Sequence, residues 1–387
     1  MGRTCSGERT AVSRPGGPLR ALVVAEQLRR AVPGGIGTYT RGLVSGLAQL
    51  EPEVAPQVAL VASRAPRRGV DAVAALGRPV HVIPVGRRAL VAAWDAGIGK
   101  VGRGEDVVHA CSTLTPRPSV PLVATVHDLA WRHLGEAYPA RGRRWHEESL
   151  ERAVRRAAAL VVPSEPVATE VRELVASLGR SGRVEVAVVD EGSDHLPEPD
   201  RGVADDLLAA KGVVGPYVLA VGTIEPRKNL ARLVSAYAIA RSSFPEPWPL
   251  LLVGPEGWGD ALGRSAPPPG VAFAGAVGPG TLAALYEGAR CVAYVPILEG
   301  FGLPVVEAMR AGSPVVASAV PSAGGAALEV DPLDVESIAA GLVSAATDEE
   351  RRELLVARGR SRAAVLTWRR CAQEHLAIWS RVAGRAA

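Results

Sequence analysis

The chain has 387 residues, beyond the roughly 250–300 at which one hydrophobic core stops growing, so two domains are expected. Apolar residues make up 48% and charged residues 22%, with 42 Gly and 31 Pro, which excludes a disordered chain or a coiled coil and fits a folded protein with many tight turns. A formal charge of +4 is too small for a polyanion-binding stripe, so a nucleic-acid partner is excluded too.

In chain order, the opening MGRTCSGERTAVSRPGG carries charge, Gly and Pro but no apolar centre; residues 1–18 are expected to form a flexible tail rather than a signal peptide. Short β-branched runs then alternate with longer amphipathic stretches, the pattern of repeated βαβ units and parallel sheets. The first series of strands is expected at Leu19–Ala25, Gln57–Ala62, Val80–Ile83, Asp106–His109, Leu122–His127, Leu160–Pro163 and Val184–Val189. EGSDHLPEPDRG, residues 191–202, lacks periodicity and reads as an interdomain linker, with the boundary near residue 195. The second series is expected at Tyr217–Gly222, Leu250–Gly254, Val271–Gly275, Cys291–Val295 and Pro314–Ala317. After Asp334 the pattern is helical. Its last stretch, Thr367–Val382, spaces Trp368, Cys371, Leu376 and Trp379 as an apolar stripe.

The expected organisation is therefore an α/β protein of two doubly wound, Rossmann-like parallel-sheet domains, 19–195 and 196–366, with a helix at 367–387 packing back across them. Domains of this kind facing each other place the carboxyl ends of both sheets, and the ligand site, at the cleft between them. No run approaches the roughly 18 apolar residues of a membrane span. Cys5, Cys111, Cys291 and Cys371 stand far apart with no CxxC, so neither a zinc site nor a disulfide framework is indicated, and a reducing cytoplasm is expected.

Residues that carry chemistry collect at predicted strand ends. In LEGFGLPVVEAMRAGSPVVAS, Leu298–Ser318, Glu299 follows a strand, Gly300 and Gly302 flank Phe301, Pro304 suits a first helical turn, and Gly312 ends that helix. The backbone N–H groups of Phe301, Gly302 and Leu303 then stand at a helix N-terminus, where the dipole and unpaired donors favour a phosphate. Glu307 falls about one turn into the helix, where a carboxylate can accept hydrogen bonds from a ribose. In YVLAVGTIEPRKNLARLVSAY, Tyr217–Tyr237, a buried strand turns at Gly222 and brings Arg227 and Lys228 beside a helix start, with Asn229 expected as its N-cap. Paired cations at that place suit a departing diphosphate; a solvated pair in a loop is the competing reading.

The first half is less specific. PGGIGTY, Pro33–Tyr39, opens the first βα turn with Gly34, Gly35 and Gly37, and any tight turn of this kind wants Gly. His127 and Asp128 end a strand, where a His is more often structural, and Asp128 is expected to orient the ring or cap the turn. Arg141–Arg156 reads as a helix with i,i+4 pairs on a solvated face. Ser164 is expected to cap a helix and carries no assigned chemistry.

The segment EGFGLPVVEAMRAGSPVVAS, with its two glutamates separated by seven residues, resembles the donor-site signature of the retaining GT-B glycosyltransferases of the large mannosyl- and glucosyltransferase family, glycosyltransferase family four. GTIEPRKN, Gly222–Asn229, and the GG loop at Gly34–Gly35 are similar to further motifs of that family, and the likeness covers nearly the whole chain beyond the tail. The resemblance implies that Glu299 contacts hydroxyls of the donor sugar and Glu307 the ribose. It also implies that Arg227 and Lys228 bind the diphosphate and that the Gly34, Gly35 and Gly37 loop closes on donor phosphates and acceptor. His127, in a T-x-H-D segment, takes an acceptor-side or sugar-contacting role. One departure stands out: the loop after Ser318, Ala319–Gly324, is shorter than the family's, which bears on donor choice.

By resemblance the protein is a retaining hexosyltransferase using a nucleoside diphosphate sugar, GDP-mannose first, because GTIEPRKN looks most like the mannosyltransferase branch. A glucosyltransferase using UDP- or ADP-glucose, and a non-catalytic nucleotide-sugar-binding protein, are the alternatives. No cofactor and no metal are expected; the Asp205–Asp206 carboxylate pair lies in the interdomain segment, far in sequence from either phosphate-binding loop. The acceptor is a glycan, a lipid-linked sugar or a small molecule. Residues 1–200 hold the whole charge excess, 26 Lys+Arg against 22 Asp+Glu, which leaves room for peripheral contact with the inner face of a membrane.

Overall fold

The computed structural model describes residues 17–66, 69–135, 138–257 and 268–385. Most of the expected tail, residues 1–16, lies outside the described residues.

The first half builds strands β1 (Arg20–Val24), β2 (Gln57–Ser63), β3 (Val80–Ile83), β4 (Lys100–Val101), β5 (Val107–Ala110), β6 (Arg117–Pro118), β7 (Leu122–Thr125), β8 (Ala159–Val162) and β9 (Glu185–Val188). Its helices are α1 (Gly34–Ala48), α2 (Arg87–Asp95), α3 (Ala130–His133), α4 (Ala140–Arg156) and α5 (Glu165–Ser177). Seven strands form a parallel sheet in the order β3-β2-β1-β5-β7-β8-β9, with β4 and β6 paired apart from it. The second half contributes α6 (Arg201–Ala210), β10 (Val218–Val221), α7 (Leu230–Ala240), β11 (Leu250–Val253), β12 (Val271–Gly275), α8 (Pro279–Gly288) and β13 (Cys291–Tyr294). It continues with α9 (Leu303–Ala311), β14 (Val315–Ala317), β15 (Leu328–Glu329), α10 (Val335–Thr347), α11 (Glu349–Val365) and α12 (Trp368–Val382). Its parallel sheet runs β12-β11-β10-β13-β14-β15.

Helices cover both faces of such sheets, so central strands lose the alternation of half-exposed strands. LVAT in β7, ALVV in β8 and LLLV in β11 are buried throughout. The strand order reverses between β1 and β5 and again between β10 and β13, and ligands bind outside the carboxyl ends at such switch points. The loops leaving those strands hold Gly34–Gly35, Gly222–Lys228 and Glu299–Gly302.

Two expectations need correction. The interdomain reading of residues around Asp205–Asp206 fails locally: Asp200 accepts the Val203 N–H at 3.2 Å and starts α6, which packs on α8. Both aspartates are exposed on that helix. The stripe on α12 is also shifted. Trp368, Cys371, Ala372, His375, Ile378 and Trp379 are buried, whereas Leu376 is only partly so. A period of 3.6 places His375, not Leu376, on the face begun by Trp368 and Cys371.

That face packs on α1 of the first half. The approach requires glycine: a Cβ on Gly42 would stand 2.1 Å from Trp368 Cε2, and one on Gly46 would stand 2.0 Å from the Trp368 carbonyl oxygen. Beneath the helix runs a buried chain of hydrogen bonds whose directions follow from its fixed donors. Trp379 Nε1 only donates, so His109 Nδ1 accepts (3.1 Å) and His109 Nε2–H donates to Thr125 Oγ1 (3.1 Å). At the other end His375 Nδ1–H donates to the Cys371 carbonyl (2.7 Å), so its Nε2 accepts from Tyr39 OH (2.7 Å). The Thr125 hydroxyl closes the chain by donating to the Tyr39 oxygen (2.9 Å). Burial holds both histidines below the ordinary value, His375 to about 4, and both are neutral. The Tyr39 ring meets His127 edge-on, with centroids 4.7 Å apart.

Candidate active site at the cleft

The three residues singled out beside the second sheet converge on one cluster. Arg227 Nη1 lies 3.0 Å from both oxygens of Glu299, and its Nη2 lies 2.8 Å from Glu225 Oε1. Lys228 Nζ donates to Glu299 Oε2 and to Tyr294 OH, each at 2.6 Å, and Tyr294 OH donates to the same Glu299 oxygen at 2.6 Å. Two carboxylates therefore balance two cations. Burial opposes the Glu299 charge, but Arg227 and Lys228 hold its carboxyl well below the usual range. Burial and the Arg227 charge lower the Lys228 ammonium, and burial raises Glu225. Separate motifs in the sequence are thus one coupled electrostatic unit in the fold.

Backbone geometry sets the cluster. Asn229 occupies the N-cap position of α7 in a left-handed conformation (φ 59°), yet it does not cap. Its Nδ2 donates instead to the carbonyls of Val295 and Pro332, at 3.0 and 2.7 Å, tying the Arg227–Lys228 turn to the end of β13. Gly302 (φ 101°) begins α9 as expected, and the N–H groups of Phe301 and Gly302 find no acceptor among the described residues. The short loop after Ser318 props this turn: Ser322 donates through its N–H to the Phe301 carbonyl (3.0 Å) and through its hydroxyl to that of Gly302 (2.9 Å). Gly222 and Leu303 stand at the expected strand end and helix start.

Glu307 is buried on α9 with both oxygens engaged. Tyr286 OH donates to Oε2 at 2.8 Å and His195 Nε2–H to Oε1 at 2.9 Å, while His195 Nδ1 accepts from Trp368 Nε1 at 3.2 Å. A ribose would share these oxygens with a preorganised pair of donors.

On the first sheet, Gly34 and Gly35 are exposed at the N-terminus of α1 with open space around them, and Gly37 is buried against Pro33. His127 Nε2–H donates to the Cys111 carbonyl (3.0 Å) and Nδ1 stands 3.1 Å from Glu191. A carbonyl and a carboxylate both require N–H donors, so the ring is an imidazolium. Burial works against this charge, but Glu191 and the Cys111 carbonyl raise the His127 pKa above its ordinary value. Neither nitrogen is free to take a proton from a substrate, and the residue supplies fixed positive charge. Asp128 Oδ1 accepts the Ala130 N–H at 3.0 Å, the turn-capping role expected of it.

The halves meet where these loops meet. A Cβ on Gly300 would stand 1.7 Å from the His127 carbonyl oxygen, so only glycine allows the contact. Ser164, expected to cap α5, makes no cap hydrogen bond; its hydroxyl crosses to the Gly300 carbonyl at 2.7 Å. Beside this junction a cavity of about 580 Å³ opens at the carboxyl ends of β1, β5 and β7, lined by His127, Asp128, Trp131, Trp145 and His146 among others. The last two come from α4, whose face is therefore not simply solvated as the sequence suggested.

Sequence reasoning missed Tyr294, Tyr286, Glu191 and His195, and read Ser164 only as a helix cap. For the tyrosines a signal existed, since a Tyr in an otherwise apolar buried element needs a partner for its hydroxyl. Glu191 and His195 lie in the aperiodic linker, where only the tertiary fold gives them partners.

Two family descriptions match the chain: "Glycosyltransferase Family 4" over residues 33–186 and "Glycosyl transferases group 1" over residues 215–348. The O-antigen chain mannosyltransferase B of Escherichia coli is 30% identical over 274 residues, 68% of this chain and 71% of that protein. Among solved structures, sucrose-phosphate synthase from Thermosynechococcus elongatus superposes with a TM-score of 0.67 at 19% identity, covering 94% of this chain and 99% of its own. Anabaena HepE in complex with UDP and glucose gives 0.67 at 17% identity, over 94% and 100%. With two Rossmann-ordered sheets, carboxyl-end loops meeting at a cleft and these likenesses, the chain belongs to glycosyltransferase family four and has the GT-B fold.

Proposed function

We propose that the protein is a retaining, metal-independent mannosyltransferase that moves mannose from GDP-mannose to an acceptor hydroxyl. The observation that carries the reading is the Arg227–Lys228–Glu299 cluster beside the free N–H groups of Phe301 and Gly302. Two cations and a helix N-terminus together suit a diphosphate that gains charge as it leaves. The bond from the anomeric carbon to the diphosphate breaks and its electron pair leaves with the phosphate. The acceptor oxygen bonds to the same face of that carbon, and its proton passes to the departing phosphate oxygen. Glu299, held ionised, accepts hydrogen bonds from the sugar hydroxyls, and Glu307 accepts them from the ribose. The mannosyl assignment draws support from the E. coli mannosyltransferase relative.

The test is a screen of GDP-mannose, UDP-glucose and ADP-glucose with acceptor extract, read by mass spectrometry, in excess EDTA. GDP-mannose is expected to be the donor used, with an α-linked product. Preference for a glucose donor would replace the mannosyl assignment. Activity lost in EDTA and restored by Mg²⁺ or Mn²⁺ would end the metal-independent one, and a β-linked product by NMR the retaining one.

A further inference from the structure

The cavity beside the cleft has a charge pattern that a neutral sugar does not explain. Arg30 follows the turn after β1, and Arg87 is the first residue of α2; both line the cavity, Arg30 at its mouth and Arg87 half-buried. Neither guanidinium has a hydrogen bond or an ion pair among the described residues. The neighbouring arginines differ: Arg29 is paired with Asp71, Arg132 with Glu147 and Arg152 with Asp95. Arg30 and Arg87 also feel each other, since partial burial and then the Arg87 charge hold Arg30 below the ordinary arginine value. Arg87 also acts through space on the buried Glu26 carboxyl of the same cavity, but that carboxyl spends its hydrogen bonds on Ser63. Two like charges without a bonded counter-ion therefore share the cavity, an arrangement a further anion would relieve.

The carboxylates lining the same cavity are already engaged. Glu26 accepts the Ser63 N–H at 2.7 Å and the Ser63 hydroxyl at 2.9 Å, and Asp128 holds the Ala130 N–H. His127 adds positive charge at the cleft end. Between these ends His146 stacks on Trp131, with centroids 4.8 Å apart and planes at 18°, and burial lowers the His146 pKa, so the wall is a neutral aromatic platform. A volume of about 580 Å³ suits one small ligand.

We propose that the acceptor is a sugar or polyol bearing a phosphate, with the phosphate held between Arg30 and Arg87, the ring against Trp131 and His146, and the reacting hydroxyl toward His127 and the cleft. The proposal rests on the glycosyltransferase reading of the cleft and adds the chemical class of its acceptor. Planar guanidinium groups bind phosphate through paired, charge-assisted hydrogen bonds, and two such contacts imply a preference over the neutral sugar of roughly 10- to 100-fold.

Calorimetry with the full chain tests this without requiring turnover. One arm titrates mannose 6-phosphate and glucose 6-phosphate against mannose and glucose. A second titrates phosphatidylcholine vesicles with and without phosphatidylinositol, which separates a soluble sugar phosphate from a lipid headgroup. The expected result is binding of the phosphate-bearing form in one arm, at least roughly tenfold tighter than its neutral counterpart. That preference should be lost in Arg30→Gln/Arg87→Gln, with GDP and UDP binding unchanged. Equal affinity for neutral and phosphorylated forms, or a preference that survives the double substitution, overturns the proposal. So does a parallel loss of nucleotide binding, which would assign the arginines to the donor. Failure of the wild-type chain to bind any nucleoside diphosphate would instead defeat the reading of the cleft, and the two failures are thereby distinguished.

Discussion

Acidification should loosen α12 through His375. In the folded chain this ring is neutral, because Tyr39 OH donates to Nε2 and the Cys371 carbonyl consumes the Nδ1–H; burial takes its pKa from the ordinary 6.5 to about 4. Between those two values the unfolded state binds the proton and the folded state does not, so stability falls as pH drops. The contribution is fully present above about pH 6.5 and is lost progressively until about pH 4, where both states are protonated. A shift of about 2.5 units corresponds to roughly 3 kcal/mol. His109 is depressed in the same direction and steepens the loss, whereas His127, raised by Glu191, contributes stability that is full below the ordinary value and is lost as pH rises through its folded pKa. Maximal protection near neutral pH follows. The assay is hydrogen exchange of peptides from Trp368–Val382, corrected for the intrinsic pH dependence of exchange, in wild type and His375→Gln. Gln can still accept from Tyr39 and donate to Cys371 but does not titrate. Wild-type protection should fall by roughly 3 kcal/mol more than that of the variant between about pH 6.5 and 4. Flat wild-type protection over this range, or an equal fall in the variant, would refute the argument.

Other outcomes follow from the cleft. Lys228→Ala removes a charge that faces Glu299 and, in the proposed reaction, the departing diphosphate, and should lower the transfer rate roughly 100- to 1,000-fold; near-wild-type turnover and nucleotide affinity would reject the assignment. Glu307→Gln keeps the shape between Tyr286 and His195 but loses the charge, and should weaken binding of the bare nucleoside diphosphate roughly 10- to 100-fold by calorimetry. Glu299→Gln should leave that binding undiminished, since it frees Arg227 and Lys228 from a competing anion, while transfer falls; equal loss of binding in both variants would erase the distinction. Gly300→Ala drives a Cβ into the His127 carbonyl and must separate the two halves, so transfer should drop roughly 100-fold with nucleotide binding retained, and a normal rate would show that the contact is dispensable.

Some of this was legible in the sequence because it is local. β-branched runs separated by amphipathic stretches place strands such as Val80–Ile83 and Val271–Gly275 at their observed bounds; both are partly exposed sheet edges, so their β-branched and aromatic residues, not burial on both faces, carry the signal. The glycine turn at Gly302 and the helix from Leu303 to Ala311 follow from Gly, Pro and Gly at fixed offsets. The two-residue strands β4, β6 and β15 left no such pattern, because so few residues carry no periodicity.

What only the tertiary structure decided is pairing. Arg227, Lys228 and Glu299 were each visible as chemistry at a strand end, but their union with Tyr294 and Glu225 depends on β10 and β13 being neighbours across a crossover. Ser164 reads locally as a cap; the carbonyl it serves is 136 residues away on the other half. The ionisation of His127 depends on Glu191 in an aperiodic linker, and the neutrality of His375 on Tyr39, 336 residues distant. Propensity and periodicity report what a residue does for its own segment. The charge it carries and the hydrogen bonds it keeps are set by groups that only the packed chain brings within 3 Å.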